Sequence, residues 1–288
     1  MTAKTLMIQG TASGVGKSIL VTALCRIFKQ EGLRVAPFKS QNMTRNLFVS
    51  AKGEEMGLAQ AVQAEAAGLE PSVDMNPIFL KPLANSRCQL VVRGKPTVTI
   101  TAGEYSQQTQ KLLPVVKESL ARLRSAYDMV IIEGAGSPVE VNLKDSEIVN
   151  MRIARLAEAP VLLVGDIDKG GVFASLVGTL ALLDEAEKDY IKGFIINKFR
   201  GDIAILQPGL DFLEKYTSRP VIGVIPYYHD IFIPEEDSGY REGGEKAGSA
   251  GIRISDIANQ QAQYDELADI VRHSLNLELI YKICGLKI

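Results

Sequence analysis

Tryptophan is absent from the 288 residues, only 2 histidines occur, His229 and His273, and the 3 cysteines, Cys25, Cys88 and Cys284, lie far apart. A structural zinc site needs clustered His and Cys ligands and a disulfide framework needs paired thiols, so neither is expected. Neither sign of charge dominates: Lys+Arg 32 stand against Asp+Glu 34, a formal net charge of -2, with no basic block. Binding to a phosphate backbone needs clustered Lys and Arg, so nucleic acid is not expected as a partner. Long apolar runs are missing as well. The longest weakly polar stretch, Gly170 to Leu183, is bounded by Asp168, Lys169 and Asp184 and falls short of the ~18 residues a membrane span requires. The short apolar run Thr5 to Ile8 is followed by no cleavable signal pattern. What remains, 46% hydrophobic and 23% charged, is an ordinary globular composition. The chain reads as a cytoplasmic, reduced protein with no membrane partner.

At roughly 150 residues per domain the length allows one large α/β domain or two smaller ones. Apolar, β-branched runs recur at Thr5 to Gln9, Arg34 to Phe38, Met129 to Ile132, Val161 to Val164, Gly193 to Ile196 and Val221 to Ile225. Fully apolar strands alternating with helices predict a mostly parallel sheet with helices on both faces. Helices are expected over Lys17 to Glu31, ended by Gly32, over Met56 to Ala67, and over Tyr105 to Ala126, where Pro114 should kink or split the helix. Residues 76–100, with Leu90 to Arg93 and Thr97 to Thr101, look like irregular chain plus short strands inserted in the sheet order. A glycine-rich stretch, Gly239 to Gly251, predicts a flexible connection. Beyond it, Gln263 to Lys282 predicts one docked helix with Asp265, Glu266 and Asp269 in its first turns. The expected division is therefore 1–238, a linker over 239–255, and a C-terminal helical segment over 256–288.

Chemistry concentrates at strand ends. Gly10-Thr11-Ala12-Ser13-Gly14-Val15-Gly16-Lys17-Ser18 follows a strand and opens a helix. Its glycines let several N–H groups face one anion, the helix start adds its dipole, Lys17 would reach the outer phosphates, and the Ser18 hydroxyl suits Mg²⁺. The loop is one residue longer than the common pattern. Glu133 ends an apolar strand and is the candidate Mg²⁺ ligand, directly or through water. Asp166 and Asp168 also follow a strand and suit a metal, a substrate or a local turn bond equally. At the end of the second strand Lys39 would add charge beside the γ-phosphate, while Ser40, Gln41, Asn42 and Asn46 offer donors and acceptors to a carboxylate or amide substrate. Asn197, ending another strand, either reads adenine or caps the strand; Pro226 ends the strand after it.

GTASGVGKS, PFKSQNM with Asn46 following, GLAQAVQAEAAG, NPIFLKP, IEGAGSP, DIDKGGVFASLVGTL, INKFRGD and IPEEDS resemble, in the same order, the dethiobiotin synthetase-like branch of P-loop proteins. Within it they resemble the synthetase domain of the cobyric acid synthase family, over roughly residues 4–238. The resemblance implies an ATP- and Mg²⁺-dependent amide ligase that converts peripheral carboxylates of a corrin ring, in adenosylcobyrinic acid a,c-diamide, to amides through acyl phosphates. It implies phosphate contacts from Gly10 through Ser18, Mg²⁺ on Ser18 and Glu133, adenine at Asn197, and transition-state or substrate contacts from Lys39 and its neighbours. Long family members carry a glutaminase domain with a Cys on a tight strand-to-helix turn. None of the three cysteines has that context, so ammonia is expected from solution or from a separate glutaminase partner. Tyr264 to Tyr281 resembles the helix that follows the glutaminase domain in long members. A dethiobiotin synthetase-like ligase would need a diamine carbamate pocket beside the lysine. A partitioning-type regulatory ATPase would carry an extra lysine where Ala12 stands and often a basic terminal helix. A catalytically idle corrinoid-binding remnant is the third alternative. A homodimer is expected only by analogy with related folds.

Overall fold

The computed structural model describes residues 2–228 and 254–286. The first half contains β1 (Lys4–Gly10), α1 (Lys17–Gln30), β2 (Val35–Phe38), β3 (Gln41–Met43), β4 (Leu47–Val49), β5 (Glu55–Gly57), α2 (Leu58–Ala66), β6 (Ile78–Pro82), β7 (Arg87–Val92), β8 (Lys95–Thr101), α3 (Ala102–Ala126) and β9 (Met129–Glu133). The second contains α4 (Met151–Ala157), β10 (Val161–Asp166), α5 (Val172–Leu182), α6 (Glu185–Lys188), β11 (Ile191–Phe199), α7 (Ile203–Thr217), β12 (Val221–Pro226), α8 (Ile254–Ser274) and α9 (Leu277–Cys284). All six expected apolar runs are strands of one sheet, in the order β12-β11-β10-β1-β9-β2. Every pairing in it is parallel.

Side chains alternate across such a strand, so both faces must be covered. Leu6 and Ile8 of β1 join a buried cluster with Leu20, Leu24 and Ile27 of α1 and Leu267 and Val271 of α8. Met7, between them, joins the opposite cluster with Val116 and Leu120 of α3, Leu176 of α5 and Leu213 of α7. Each such side chain taken out of water contributes about 1.5–3 kcal/mol. The expected α/β architecture is therefore observed.

Three expectations need correction. Residues 76–100 do not enter the main sheet: β6, β7 and β8 pair antiparallel and, with β3 alongside β6 in parallel, form a separate four-stranded sheet. β7 and β8 overlap the expected short strands, and Ile78, Leu80, Leu90 and Ile100 bury there against the α3 side of the core, so tertiary packing gathers them into a sheet of their own. Pro114 does not split α3, which runs unbroken from Ala102 to Ala126. The proline sits on the exposed side while Leu112, Val116, Leu120 and Leu123 are buried, and that packing outweighs one lost backbone bond. The C-terminal segment is two helices. They break at Leu275, which bridges to Gly223 of β12, and at Asn276, whose side chain accepts from Leu279 N and caps α9.

Because α8 starts at Ile254, Asp265, Glu266 and Asp269 lie in its middle rather than its first turns. Asp265 instead accepts from Arg26 Nε at 2.6 Å and Gln30 Nε2 at 2.7 Å, fastening α8 to α1. The glycine-rich connection, except for residues 254 and 255, lies outside the described residues. Among the described residues no helix is long and apolar enough to cross a membrane.

Tyr264 is the largest fully buried side chain of α8, and its hydroxyl lies 3.2 Å from Glu65 Oε2 and 2.8 Å from Gln260 Nε2. Tyr264→Ala is expected to cost about 3–5 kcal/mol in urea unfolding, the range for emptying an aromatic-sized site.

Candidate nucleotide and acyl-transfer site

β1 lies in the middle of the sheet with β10 on one side and β9 on the other, and its carboxyl end opens into the Gly10 to Ser18 loop. In an open α/β sheet this is where ligands gather. Two glycines of the loop are required by their surroundings. A Cβ on Gly16, whose φ is +95°, would fall 2.2 Å from Asn197 Nδ2, and one on Gly10 would fall 2.5 Å from Val15 Cγ2. The backbone can thus wrap an anion closely just where α1 presents its N-terminus. Lys17 Nζ donates to Ala12 O at 3.0 Å and to Gly136 O at 3.4 Å, which lays the ammonium across the loop.

β9 carries Glu133 to the neighbouring position and β2, one strand further, carries Lys39. Lys39 Nζ donates to Glu133 Oε1 at 2.9 Å, and both side chains are almost wholly buried, at 1% and 0% exposed. Ser18 Oγ donates to the same oxygen at 2.8 Å. On the other oxygen, Gln63 Nε2 donates at 2.5 Å and Gln60 Nε2 at 3.5 Å. Burial by itself would raise the Glu133 pKa; the charge and hydrogen bond of Lys39, with those of Gln63 and Ser18, outweigh it and hold the carboxyl below its ordinary value. Lys17, Ser18, Lys39 and Glu133, separated by up to 116 positions in the chain, therefore form one cluster.

The loop after β2 is drawn into the same cluster. Ser40 Oγ donates to Ile148 O at 2.6 Å and Asn42 Nδ2 to Gln60 Oε1 at 2.7 Å, while Gln41 Oε1 accepts from the Tyr105 hydroxyl. Asn46 is half-buried, and its backbone N–H bonds Thr44 Oγ1 at 3.0 Å. Asp166, by contrast, stands on β10, three strand positions from β2, which at ~4.8 Å per strand is about 14 Å from that loop. Its carboxylate accepts from Lys198 Nζ at 3.0 Å and from Asp168 N at 2.9 Å, the local turn bond. Asp168 pairs with Arg200 at 2.8 Å.

On the β11 side, Asn197 Nδ2 donates to Val15 O at 2.8 Å and its Oδ1 is buried without a protein partner among the described residues. Lys198, in the left-handed region at φ +63°, donates to Gly14 O at 2.6 Å. Gly16, Lys198, Tyr227 and Tyr228 line a cavity of about 110 Å³ beside the phosphate loop. Pro226 closes β12 immediately before these tyrosines and is exposed.

Several residues of this site were not legible as site residues. Gln60 and Gln63 entered only within GLAQAVQAEAAG, and their i, i+3 spacing hinted at a shared face of α2. Asn150 pins the loop after Glu133 by donating to Ala135 O at 2.7 Å and Ser137 O at 3.1 Å and accepting from Ala135 N at 3.1 Å. Lys198 entered only within INKFRGD, and Tyr105 carried no sequence signal beyond its ring.

The cysteines stand elsewhere: Cys25 within α1, Cys88 on β7, and Cys284 at the end of α9. Burial, with Glu133 nearby, pushes the Cys25 thiol up, and burial pushes Cys284 up to about 12, which keeps both thiols protonated and unreactive.

The family model described as the CobQ/CobB/MinD/ParA nucleotide binding domain matches residues 6–238. The chain belongs to this family. Among curated proteins, a cobyric acid synthase of Dehalococcoides mccartyi (strain CBDB1) is 61% identical over 256 residues, covering 89% of this chain and 50% of its own. One from Sorangium cellulosum (strain So ce56) is 57% identical over 258 residues, 90% of this chain and 50% of its own, and one from Pelotomaculum thermopropionicum (strain DSM 13744 / JCM 10971 / SI) is 55% identical over 254 residues, 88% and 48%. The chain spans about half the length of the curated relatives it matches.

The Gly10 to Ser18 loop thus lies within a nucleotide-binding domain. Among the described residues no group of three or more His, Cys, Asp or Glu is placed to hold a metal. The Ser18 hydroxyl and the Glu133 carboxylate, 2.8 Å apart, are both oxygen donors. That set fits Mg²⁺, which takes one or two protein ligands and fills the rest of its shell from phosphate and water.

Proposed function

We propose that this chain is the synthetase half of a corrinoid amide ligase, converting peripheral carboxylates of adenosylcobyrinic acid a,c-diamide to amides at the expense of ATP. The observation that carries this reading is the buried Lys39–Glu133–Ser18 cluster, which joins the phosphate loop to the polar loop at 40–46. The strong identity to cobyric acid synthases over nearly the whole chain supports the substrate class. In this reading a substrate carboxylate oxygen attacks the γ-phosphorus, ADP leaves, ammonia attacks the resulting acyl phosphate carbon, and phosphate and a proton depart as the amide forms. Mg²⁺ on Ser18 and Glu133 would offset charge on the phosphate oxygens. Lys17 and Lys39 bring positive charge to the two sides of the transferring group, and Ser40, Gln41, Asn42 and Asn46 orient the substrate acid. Asn197 and Pro226 flank the base. Asp166 acts through Lys198 on the phosphate loop.

The cysteine positions leave glutamine hydrolysis to another polypeptide or domain, with ammonia delivered from there or from solution. Incubation with MgATP and cobyrinic acid a,c-diamide, followed by mass spectrometry, is expected to give stepwise amidation with ammonium and none with glutamine. Folded protein that binds ATP yet neither binds nor amidates the corrinoid would sink the reading in favour of another ligase or a regulatory ATPase.

A further inference from the structure

Gln60 and Gln63 are both 0% exposed, in a helix otherwise built of Ala, Val and other small or apolar side chains at its buried positions. Packing alone asks for nothing polar there, and a buried amide costs free energy unless its bonds are made. The two glutamines make different bonds. Gln63 donates to Glu133 Oε2 and, at 3.4 Å, to Ser18 O, so it joins the carboxylate to the phosphate loop. Gln60 uses both ends of its amide: Nε2 faces Glu133 Oε2 at 3.5 Å and Oε1 accepts from Asn42 Nδ2 at 2.7 Å. It is therefore the link from the carboxylate to the loop at 40–46. Asn42, 1% exposed, keeps a buried carbonyl oxygen with no partner among the described residues, a costly arrangement that a shift of the loop would relieve.

We propose that Gln60 is a positioning residue that couples the loop at 40–46 to Glu133, so that a cation taken up at the carboxylate is felt at the substrate loop. This rests on the roles assigned above to Glu133 and to that loop. The physical content is a coupling free energy: whatever shifts Glu133 when Mg-nucleotide binds pulls on Gln60 Nε2, and Gln60 Oε1 transmits the shift to Asn42. Coupling of this kind is reciprocal, so an ordered loop also favours cation binding. The 3.5 Å contact at Glu133 is the long one and the 2.7 Å contact at Asn42 the short one, which places the adjustable joint at the carboxylate.

The test is hydrogen exchange of wild type and Gln60→Met, a swap that keeps side-chain length and removes both hydrogen-bonding ends, with ATPγS in Mg²⁺ or in EDTA. In wild type, Mg-ATPγS is expected to slow exchange at 40–46 by about fivefold, the weight of one buried hydrogen bond, and ATPγS in EDTA to leave it unchanged. Gln60→Met is expected to bind Mg-ATPγS within about threefold of wild type, because Ser18, Lys39 and Gln63 still hold Glu133. Exchange at 10–18 should still slow while that at 40–46 does not. A merely structural Gln60 would lower the melting temperature without removing the Mg²⁺-dependent signal selectively. Should Gln60→Met fail to fold, Asn42→Ala cuts the other end and is expected to lose the same signal. Retained protection at 40–46 in the folded variant, or its absence in wild type that does bind Mg-ATPγS, overturns the coupling. Wild type that shows no protection at 10–18 and no nucleotide heat in calorimetry overturns the nucleotide roles of the site, and the coupling with them.

Discussion

Lys17→Ala is expected to lower ATP turnover by about a hundred- to a thousandfold or more, the scale for removing one preorganised charge from a transition state, with the fold unchanged by circular dichroism. The side chain donates to two backbone carbonyls beside the loop, Ala12 O and Gly136 O. What disappears is the ammonium at the mouth of the loop, where negative charge spreads over the phosphoryl oxygens as transfer proceeds. Single-turnover assays with radiolabelled ATP would measure the effect. A variant that amidates at the wild-type rate would remove the loop from the reaction.

Lys39→Met is expected to do two separable things: abolish most of kcat and destabilise the fold by about 3–5 kcal/mol at neutral pH, as when one partner of a buried ion pair is removed. The stability part has a definite pH signature. Glu133 in the wild type has its pKa held below the ordinary 4.5. Its contribution is therefore fully present above the unfolded value and lost as pH falls through the lower folded one. Without Lys39, burial acts on the carboxyl with less opposition and its pKa rises. The variant then suffers most at neutral pH, and the gap to wild type narrows as acid neutralises Glu133. Urea unfolding at pH 7 and pH 5 reads this directly, and a gap that stays constant would deny the pair its energetic role. The double variant Lys39→Met/Glu133→Leu should recover much of the stability and none of the activity, since neither member of the pair is left buried without the other.

The strands of the main sheet were legible because each holds an apolar run, and those inside the sheet bury that run on both faces. The phosphate loop was legible because its glycines are needed by backbone geometry, and such needs are local. Within 76–100 the short strands were legible and their sheet was not, since Ile78, Leu80, Leu90 and Ile100 meet a core supplied from α3. The break at Leu275 and Asn276 was missed for a similar reason: Leu275 bridges to Gly223, 52 positions earlier.

The same division runs through the site. By itself the sequence determined the parallel α/β class, the Gly10 to Ser18 loop, and the placement of Lys39, Glu133, Asp166 and Asn197 at strand carboxyl ends, because periodicity and turn chemistry are properties of neighbours along the chain. Only the tertiary structure decided which of those ends meet. The strand order β10-β1-β9-β2 brings Lys39 onto Glu133 and leaves Asp166 on the far side of the phosphate loop. It also turns Gln60 and Gln63, two amides in an alanine-rich helix, into partners of a buried carboxylate. Such partnerships depend on which surfaces pack, and a buried polar group is readable only once the charge it must satisfy has been placed beside it.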